Sequence, residues 1–410
     1  MEILNSIKST IESEKITILY LNYVDLEGNI RSKEIFTCEL LKNLEGFFKD
    51  GVSVTGNLSD ARQENSCFFI VRPIPETFTV IQWANYDSAK AAFVLCDIIN
   101  SLSDCRNVVK KITEIMKEVQ LKPMSGLGLT YQIQGVSDAE KQAGFYKCFP
   151  GSEMDVFNNT LATTLLNSGI ELEYAVPSGP DYHHLAFVTK DLLKSMDNFA
   201  LGKWIASSFA LSRNQNILLT KPFENSAPVH LSIWDDQEHG NLFYDPNEKY
   251  ELSKKGYSFI AGVLKYFDEI FAVISAANGE IPSINYKKTY SYLDDDSVIS
   301  APCYFFENGK MARSGWSKRC IFRGIGCNAN LYLVTSSIFA AGFEGMQNSY
   351  EVGQFEDKTY GVHSSSIQDK MHKLIECQLY RELFGDSIMK VLESNLSTII
   401  ERGADKHASN

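Results

Sequence analysis

The sequence predicts an α+β protein made of a small N-terminal domain, residues 1–103, and a larger C-terminal domain, residues 104–410. Two observations carry this prediction. Short runs of β-branched and aromatic residues, separated by turn signals, dominate the first domain and predict one curled sheet. In the second domain, longer amphipathic patterns that are typical of helices alternate with short apolar runs that are typical of strands.

The first domain opens with a helical pattern at residues 4–14, followed by a predicted β-hairpin. In the hairpin stretch KITILYLNYVDLEGNIRSKEIFT, two apolar runs flank Glu27-Gly28-Asn29, and glycine beside asparagine between such runs is a hairpin signal. A short helix is predicted to end at Gly51, since glycine commonly follows a helix C-terminus. Three further strands are expected at SCFFIVRPI, FTVIQW and AAFVLCDII.

The second domain is predicted from the alternation of its helix and strand patterns. The longest helical patterns lie at 191–213 and 247–277, and the stretch 278–330 is expected to be irregular. In chain order, the remaining predicted elements are helix 105–119, strand 127–134, helix 154–168, strands 170–175, 183–188, 216–219 and 228–234, and helices 330–346, 365–382 and 385–401.

Composition and charge exclude several classes of protein. Of the 410 residues, 44% are hydrophobic, which is enough to bury a large core. A formal net charge of −12 argues against nucleic acid as a general partner, since phosphate binding requires clustered lysine and arginine. Nine cysteines without a CxxC pair indicate reduced thiols. Because there is no apolar run of about 18 residues and no signal-peptide pattern, we expect a cytoplasmic protein that does not bind a membrane.

Six short motifs follow one another along nearly the whole chain. They are LNYVDLEGNIRSKEI, DGVSVTGNLSDA, GPDYHHLAF with DLLKSMDN, TKPFE with VHLSIW, NLYLVTSSIFAAGFEGM, and SSSIQDKMHKLIECQLYRELFG. In this order they resemble the motifs of the glutamine synthetase superfamily, with the closest match between Asn330 and Gly345. Each motif is short, and it is their order that makes the resemblance specific for the fold.

The resemblance implies a fold, an assembly and a reaction. The fold is a β-grasp-like N-terminal domain followed by a catalytic-type domain with a curved antiparallel sheet, a half-barrel funnel, and flanking helices. Family members form homo-oligomeric rings or stacked rings, so a homo-oligomer is expected. The family transfers the γ-phosphoryl group of ATP to glutamate and then replaces it with ammonia. It uses two divalent metals held mainly by glutamates, and arginines that face the phosphoryl group.

The acidic residues and one histidine that this chemistry requires are replaced at the matching positions. The replacements are Gly128 and Thr130 for one glutamate pair, Pro177 and His184 for another, Pro228 for a metal-binding histidine, Ser300 for the acid that deprotonates ammonium, and Thr55 for an aspartate from a neighbouring subunit. We therefore expect no glutamine synthetase activity and no Mg²⁺ or Mn²⁺ at the usual two-metal site. Whether the chain has another enzymatic activity is left open.

Several residues that the family uses around its funnel are nevertheless present. The catalytic candidates are His184, His230, Arg323, Lys318 and Tyr182, and the candidates for a nucleotide pocket are Lys221, Ser232 and Trp234. The alternative is that these residues only pack the core and the strands. His184 is the one candidate for a metal ligand, for a softer metal such as Zn²⁺. Its neighbour His183 points to the opposite face of a strand and cannot easily share an ion with it.

Three functional hypotheses follow. The first is a pseudoenzyme that binds a partner or an amino-acid-like small molecule as a regulatory subunit, sensor or scaffold, with no cofactor expected and ATP binding left open. The second is an enzyme with altered chemistry on an amino-acid derivative, in a funnel lined by Tyr131, Tyr182, His184, His230, Lys318 and Arg323. The third is an ATP-dependent amide or γ-glutamyl ligase, which requires the metals that the replaced glutamates would hold.

Overall fold

The structure of the chain, a computed structural model, shows the predicted α+β fold. It describes residues 2–56, 67–84, 89–99, 104–134, 148–178, 182–219, 228–235, 240–281, 287–292, 297–306, 308, 311–312, 315–326, 329–356 and 365–408. The chain forms two units that interleave along the sequence. Unit 1 consists of Met1–Arg106, Leu129–Phe187 and Asn198–Leu219, and unit 2 of Asn107–Gly128, Val188–Asp197 and Thr220–Asn410. The boundary between residues 103 and 104 stays a prediction.

Strands and helices are numbered in chain order. The strands are β1 (Ile16–Val24), β2 (Ile30–Phe36), β3 (Val52–Gly56), β4 (Cys67–Pro73), β5 (Thr79–Val80), β6 (Lys90–Ile99), β7 (Leu121–Gly126), β8 (Gly128–Ile133), β9 (Leu172–Pro177), β10 (Tyr182–Phe187), β11 (Lys190–Asp191), β12 (Ile217–Leu218), β13 (Val229–Asp235), β14 (Lys287–Ser291), β15 (Ser297–Ser300), β16 (Tyr304–Phe305), β17 (Met311–Ala312) and β18 (Cys320–Phe322). The helices are α1 (Glu2–Ser13), α2 (Thr37–Leu40), α3 (Leu44–Asp50), α4 (Cys105–Glu118), α5 (Glu153–Asn167), α6 (Leu192–Ser212), α7 (Lys254–Lys265), α8 (Phe267–Asn278), α9 (Leu331–Gln347), α10 (Ile367–Glu376) and α11 (Gln378–Ala408). Among the described residues, none of these helices is long and apolar enough to cross a membrane.

The first sheet of unit 1 contains the predicted hairpin. Its strand order is β2-β1-β6-β4-β3, and β5 also pairs with β6. Strands β1 and β6 are parallel and occupy the middle of the sheet. At the hairpin turn, the carboxylate of Asp25 accepts hydrogen bonds from the backbone N–H groups of Glu27 and Asn29. Gly28 adopts a positive φ of 76°, a conformation that favours glycine.

The second sheet of unit 1 has the strand order β12-β8-β10-β9. Strand β9 lies at its edge, and residues 173–175 are exposed. Strand β10 is the next strand inward and pairs with β9 in antiparallel orientation. Helix α5 contacts β9 and buries one of its own faces, which carries Phe157, Leu161 and Leu165.

The sheet of unit 2 has the strand order β11-β7-β13-β18-β15-β14. Strands β14 and β15 are parallel, and the other pairs described are antiparallel. Helices α7 to α11 belong to the same unit, and α7 packs closely on α9. On the central strand β13, the side chains of Val229, Leu231 and Ile233 are completely buried. This face of the sheet therefore packs in the hydrophobic core.

Three predicted helices are wrong in their extent. The helix predicted over 247–277 is α7 and α8, because the chain leaves helical geometry at Tyr266 (φ −96°, ψ 22°). The helix predicted over 365–382 ends at Glu376, because Cys377 is extended (ψ 112°) and α11 begins after it. The short helix predicted to end at Gly51 is α2 and α3, and the side chain of Asn43 caps the second of these.

Several strands escaped the sequence analysis. The stretch 278–330, predicted to be irregular, contains the five strands β14 to β18, each of two to five residues. Such runs are too short to show a period of two. Strand β7 contains Lys122 and Pro123, both of them residue types that strands disfavour. It forms because β11 and β13 pair with it on both sides.

Candidate functional site

Strand β13 places three of the predicted residues on one face of the unit 2 sheet. Side chains alternate along a strand, and the odd-numbered residues 229, 231 and 233 are completely buried. His230, Ser232 and Trp234 therefore project from the other face, where His230 and Trp234 are partly exposed. The indole Nε1 of Trp234 donates a hydrogen bond to Ser232 Oγ at 3.1 Å. We call this side of the sheet the His230 face.

A glycine beside His230 leaves space on the His230 face. His230 pairs with Gly126 of β7 and with Ile321 of β18. A Cβ atom at position 126 would lie 2.7 Å from Thr189 Oγ1 and 3.4 Å from His230 Cβ. Any larger residue would displace Thr189, so the glycine allows the imidazole to lie against the neighbouring strand.

Arg323 lies on the same face and donates a hydrogen bond to Ser300. Ser300 pairs with Ile321, and Arg323 follows Ile321 by two residues, so the three side chains share a face. The guanidinium Nη1 of Arg323 donates a hydrogen bond to Ser300 Oγ at 2.7 Å, and Ser300 is only 2% exposed. By resemblance, position 300 belongs to the acid that takes the ammonium proton. A neutral hydroxyl that accepts from an arginine does not supply that basic group.

Lys318, another predicted residue, does not lie on the His230 face. It is 1% exposed, and its Nζ donates hydrogen bonds to the carbonyl oxygens of Tyr250 at 2.6 Å and Pro302 at 3.1 Å. Burial lowers the pKa of its ammonium group. These contacts indicate a structural role for Lys318.

Arg319 belongs to the His230 face, although the sequence analysis did not single it out. It directly precedes β18, two positions before Ile321 and four before Arg323, and would lie beside them if the alternation of the strand continues by one residue. Extending the register of β13 and β18 by one residue puts it opposite Ser232. Within the described part of the chain its Nε–H is buried without a hydrogen-bond partner, while Nη1 donates to the carbonyl of Ser317 at 3.3 Å. Counting from Arg323 in steps of two would have found this residue.

The second candidate site lies on β10 of unit 1. His184 Nδ1 and Thr130 Oγ1 are 2.9 Å apart and share a hydrogen bond whose direction depends on the tautomer of the imidazole. The strand register pairs His184 with Val176, and His183 with Pro177. Val176 rather than Pro177 therefore shares the face of His184, and the correspondence of Pro177 to a glutamate of the family stays a prediction. Either residue is apolar, so no carboxylate is regained.

Three nearby rings are buried in unit 1. His183 is 8% exposed, and its ring stacks on that of Tyr131 at a centroid distance of 6.2 Å. Burial lowers the pKa of His183 to about 4, against a smaller opposing effect of Asp155. Burial also raises the pKa of Tyr131, whose hydroxyl donates a hydrogen bond to Asn158 Oδ1. Tyr182, a predicted catalytic candidate, is 6% exposed.

The side chains on these two faces do not fit a two-metal site for Mg²⁺ or Mn²⁺. These ions prefer carboxylate oxygens, whereas the groups found at the candidate positions are hydroxyls, imidazoles and guanidinium groups. In the part of the chain that the structure describes, no group of three or more histidine, cysteine, aspartate or glutamate side chains could hold a metal ion. Of the predicted residues, Lys221 lies outside the described residues.

Comparison with known proteins decides the family. A family model of the glutamine synthetase catalytic domain matches residues 104–393, well over half of the chain. The chain belongs to the glutamine synthetase family. The glutamine synthetase of Thermotoga maritima is 26% identical over 379 residues, which cover 85% of this chain and 81% of that protein. That of Thermus thermophilus is 25% identical over 434 residues, with 94% and 92% covered.

A solved structure shares the fold of this glutamine synthetase-family chain. The crystal structure of a novel glutamine synthase homolog matches it with a TM-score of 0.75 and 14% sequence identity, covering 95% of each chain. A likeness at this identity concerns the fold alone. It confirms the predicted α+β architecture with a curved half-barrel sheet.

Proposed function

We propose that this member of the glutamine synthetase family does not join ammonia to glutamate and acts by binding, as a regulatory subunit, sensor or scaffold. The observation that carries the proposal is the hydrogen bond between Thr130 and His184. By resemblance, both positions belong to glutamates that bind the metals. Here a hydroxyl and an imidazole form a hydrogen bond with each other, and neither group is a carboxylate that could bind a divalent cation.

The loss of these carboxylates removes the charge on which the family's reaction depends. Divalent cations polarise the phosphoryl oxygens and stabilise the transition state by several kcal/mol. Val176, which shares the face of His184, is apolar, and Ser300 is bound to Arg323. Each of the two candidate sites, taken by itself, therefore lacks the carboxylates on which phosphoryl transfer in the family depends.

The two enzymatic alternatives have less support. An enzyme with altered chemistry was expected to use Tyr131, Tyr182 and Lys318 among its funnel residues, and all three are buried in the structure. Lys318 also donates two hydrogen bonds to backbone carbonyls. An ATP-dependent amide or γ-glutamyl ligase requires the same metals as glutamine synthetase, so the replaced carboxylates weigh against it equally.

A ligase assay tests the proposal. The purified protein is incubated with glutamate, ATP and ammonium, first with Mg²⁺ and then with Mn²⁺, and both glutamine and inorganic phosphate are quantified. We expect neither product above a blank without protein, because the metal-binding acids are replaced. The glutamine synthetase of Thermotoga maritima serves as the active control. Metal-dependent formation of glutamine by this chain would overturn the proposal.

We also propose that the protein is a cytoplasmic homo-oligomer with an amino-acid-like small molecule as its ligand. Family members assemble into rings, which supports the oligomer, and the acidic net charge of −12 makes nucleic acid an unsuitable partner. No resident cofactor is expected. Binding of ATP stays open, since the pocket proposed for it includes Ser232 and Trp234 on the His230 face.

A further inference from the structure

We propose that the His230 face binds an anionic group directly, without a divalent cation, and that Arg319 is its principal contact. The inference rests on the proposed function, because it names the chemistry of the ligand that a non-catalytic family member would bind. Carboxylate and phosphate share this chemistry, since both present two or more oxygens to a guanidinium group.

The His230 face has a charge opposite to that of the protein as a whole. The register pairs Lys122 of β7 with Trp234, so its side chain projects from the same face as those of Arg319 and Arg323. Among the described residues of β7, β11, β13, β15 and β18, Asp191 is the one carboxylate on this face. Its Oδ1 already accepts the backbone N–H of Lys194 at 3.0 Å.

Among the described residues on and beside these strands, three cationic side chains and one carboxylate therefore share this face, so their summed formal charge is positive, whereas the formal net charge of the chain is −12. A positive face on an acidic protein attracts anions selectively to that location. The buried sheet beneath it raises the strength of such interactions, because fewer water molecules screen them. The positive charge of the His230 face therefore indicates an anionic ligand.

Arg319 supplies the second, independent observation. Its Nε–H is buried and has no hydrogen-bond partner among the described residues, although nearly all buried donors in folded proteins are paired. Leaving such a donor unpaired costs free energy that a ligand oxygen would restore. Guanidinium Nε and Nη atoms form a fork that matches a carboxylate or a phosphate. Arg323, in contrast, already donates from Nη1 to Ser300.

Calorimetric titration tests this site. The full chain in EDTA is titrated with inorganic phosphate and, separately, with L-glutamate, and the same titrations are made with Arg319→Gln and Arg319→Lys. We expect one of the anions to bind without metal and Arg319→Gln to weaken its affinity about tenfold or more, as loss of a charge-assisted hydrogen bond does. Arg319→Lys keeps the charge but loses the fork, so it should bind with intermediate affinity.

The control variant is Arg402→Gln, which removes the same charge from an exposed position on α11 and should leave affinity unchanged. Equal affinity in wild type and both Arg319 variants would overturn the proposal, as would equal weakening by Arg402→Gln, absence of binding in EDTA, or binding that appears only when the titration is repeated with Mg²⁺ in place of EDTA. If Arg319→Gln fails to fold, the fork contact still predicts weaker binding by Arg319→Lys. Glutamine formation in the ligase assay would overturn the proposed function without removing this site.

Discussion

At the scale of single residues, alternation along β10 gives two adjacent histidines different environments. His183 faces the core of unit 1 and stacks on Tyr131, so burial disfavours its charged form. His184 projects from the other side, where it meets Thr130. The first histidine is a structural residue, and the second, by resemblance, is predicted to stand at the position of a metal-binding glutamate of the family.

The buried His183 predicts a loss of stability in mild acid. Its pKa in the folded protein is about 4, below the ordinary value of 6.5, so the unfolded chain binds the proton first as the pH falls. Above pH 6.5 this group leaves the free energy of unfolding unchanged. Between pH 6.5 and 4 it lowers that free energy progressively, by about 3 kcal/mol in total at 1.36 kcal/mol per pKa unit.

Urea unfolding above, within and below this pH window measures the effect. The variant His183→Gln cannot take up the proton, so its free energy of unfolding should fall less steeply with acid than that of the wild type. His372→Gln, which removes an exposed histidine from α10, is the matched control. The same acid dependence in His183→Gln and wild type would refute the assignment.

At the scale of elements, glycines determine how closely α7 and α9 pack. A Cβ atom at Gly262 would lie 2.1 Å from the carbonyl oxygen of Ala341 and 2.9 Å from the Cα of Gly345. A Cβ atom at Gly345 would lie 2.2 Å from the carbonyl oxygen of Ser258. The two helix backbones touch, so these positions have no room for a side chain. This contact gives a physical reason for the AAGFEG run in the sequence.

Gly262→Ala is therefore expected to destabilise the fold. Overpacking of a close contact costs about 1–3 kcal/mol, which outweighs the gain of about 1 kcal/mol or less from the better helix propensity of alanine. Thermal or urea unfolding measures the change. Gly353→Ala is the control, because a Cβ atom there has no neighbour within 4 Å. If Gly262→Ala and the control had the same free energy of unfolding, the helices could move apart without loss of stability, and the prediction would be wrong.

The elements that the sequence predicted well are those with long periodic patterns. Helices α1, α4, α5, α6 and α9 and strands β1, β2, β4 and β6 lie close to their predicted bounds. Local patterns do not show where a helix breaks without glycine or proline, as at Tyr266 and Cys377. They also do not reveal strands such as β7 and β15, which depend on pairing with neighbours that are remote in the sequence.

At the scale of the whole molecule, membership of the glutamine synthetase family predicts a homo-oligomer. Light scattering after size-exclusion chromatography gives the mass of the species, which should be an integral multiple of the 46.1 kDa chain. By resemblance, Thr55 is predicted to stand at the position of the neighbouring subunit's aspartate, and an oligomer of this chain would then share no catalytic acid there. A monomer at all concentrations would contradict the prediction.

The sequence by itself determined the family and the α+β fold class, because these depend on residue identity and on the order of motifs, and it predicts the replacement of the metal-binding acids. Only the tertiary structure decided which side chains face together. Lys318 and Arg319 are adjacent in the sequence, yet Lys318 is buried and bonds backbone carbonyls, whereas extending the register of β18 by one residue puts Arg319 on the His230 face. A shift of one residue in the pairing register moves every side chain of a strand to the opposite face of the sheet. The composition of the site therefore depends on strand pairing, which the sequence does not display.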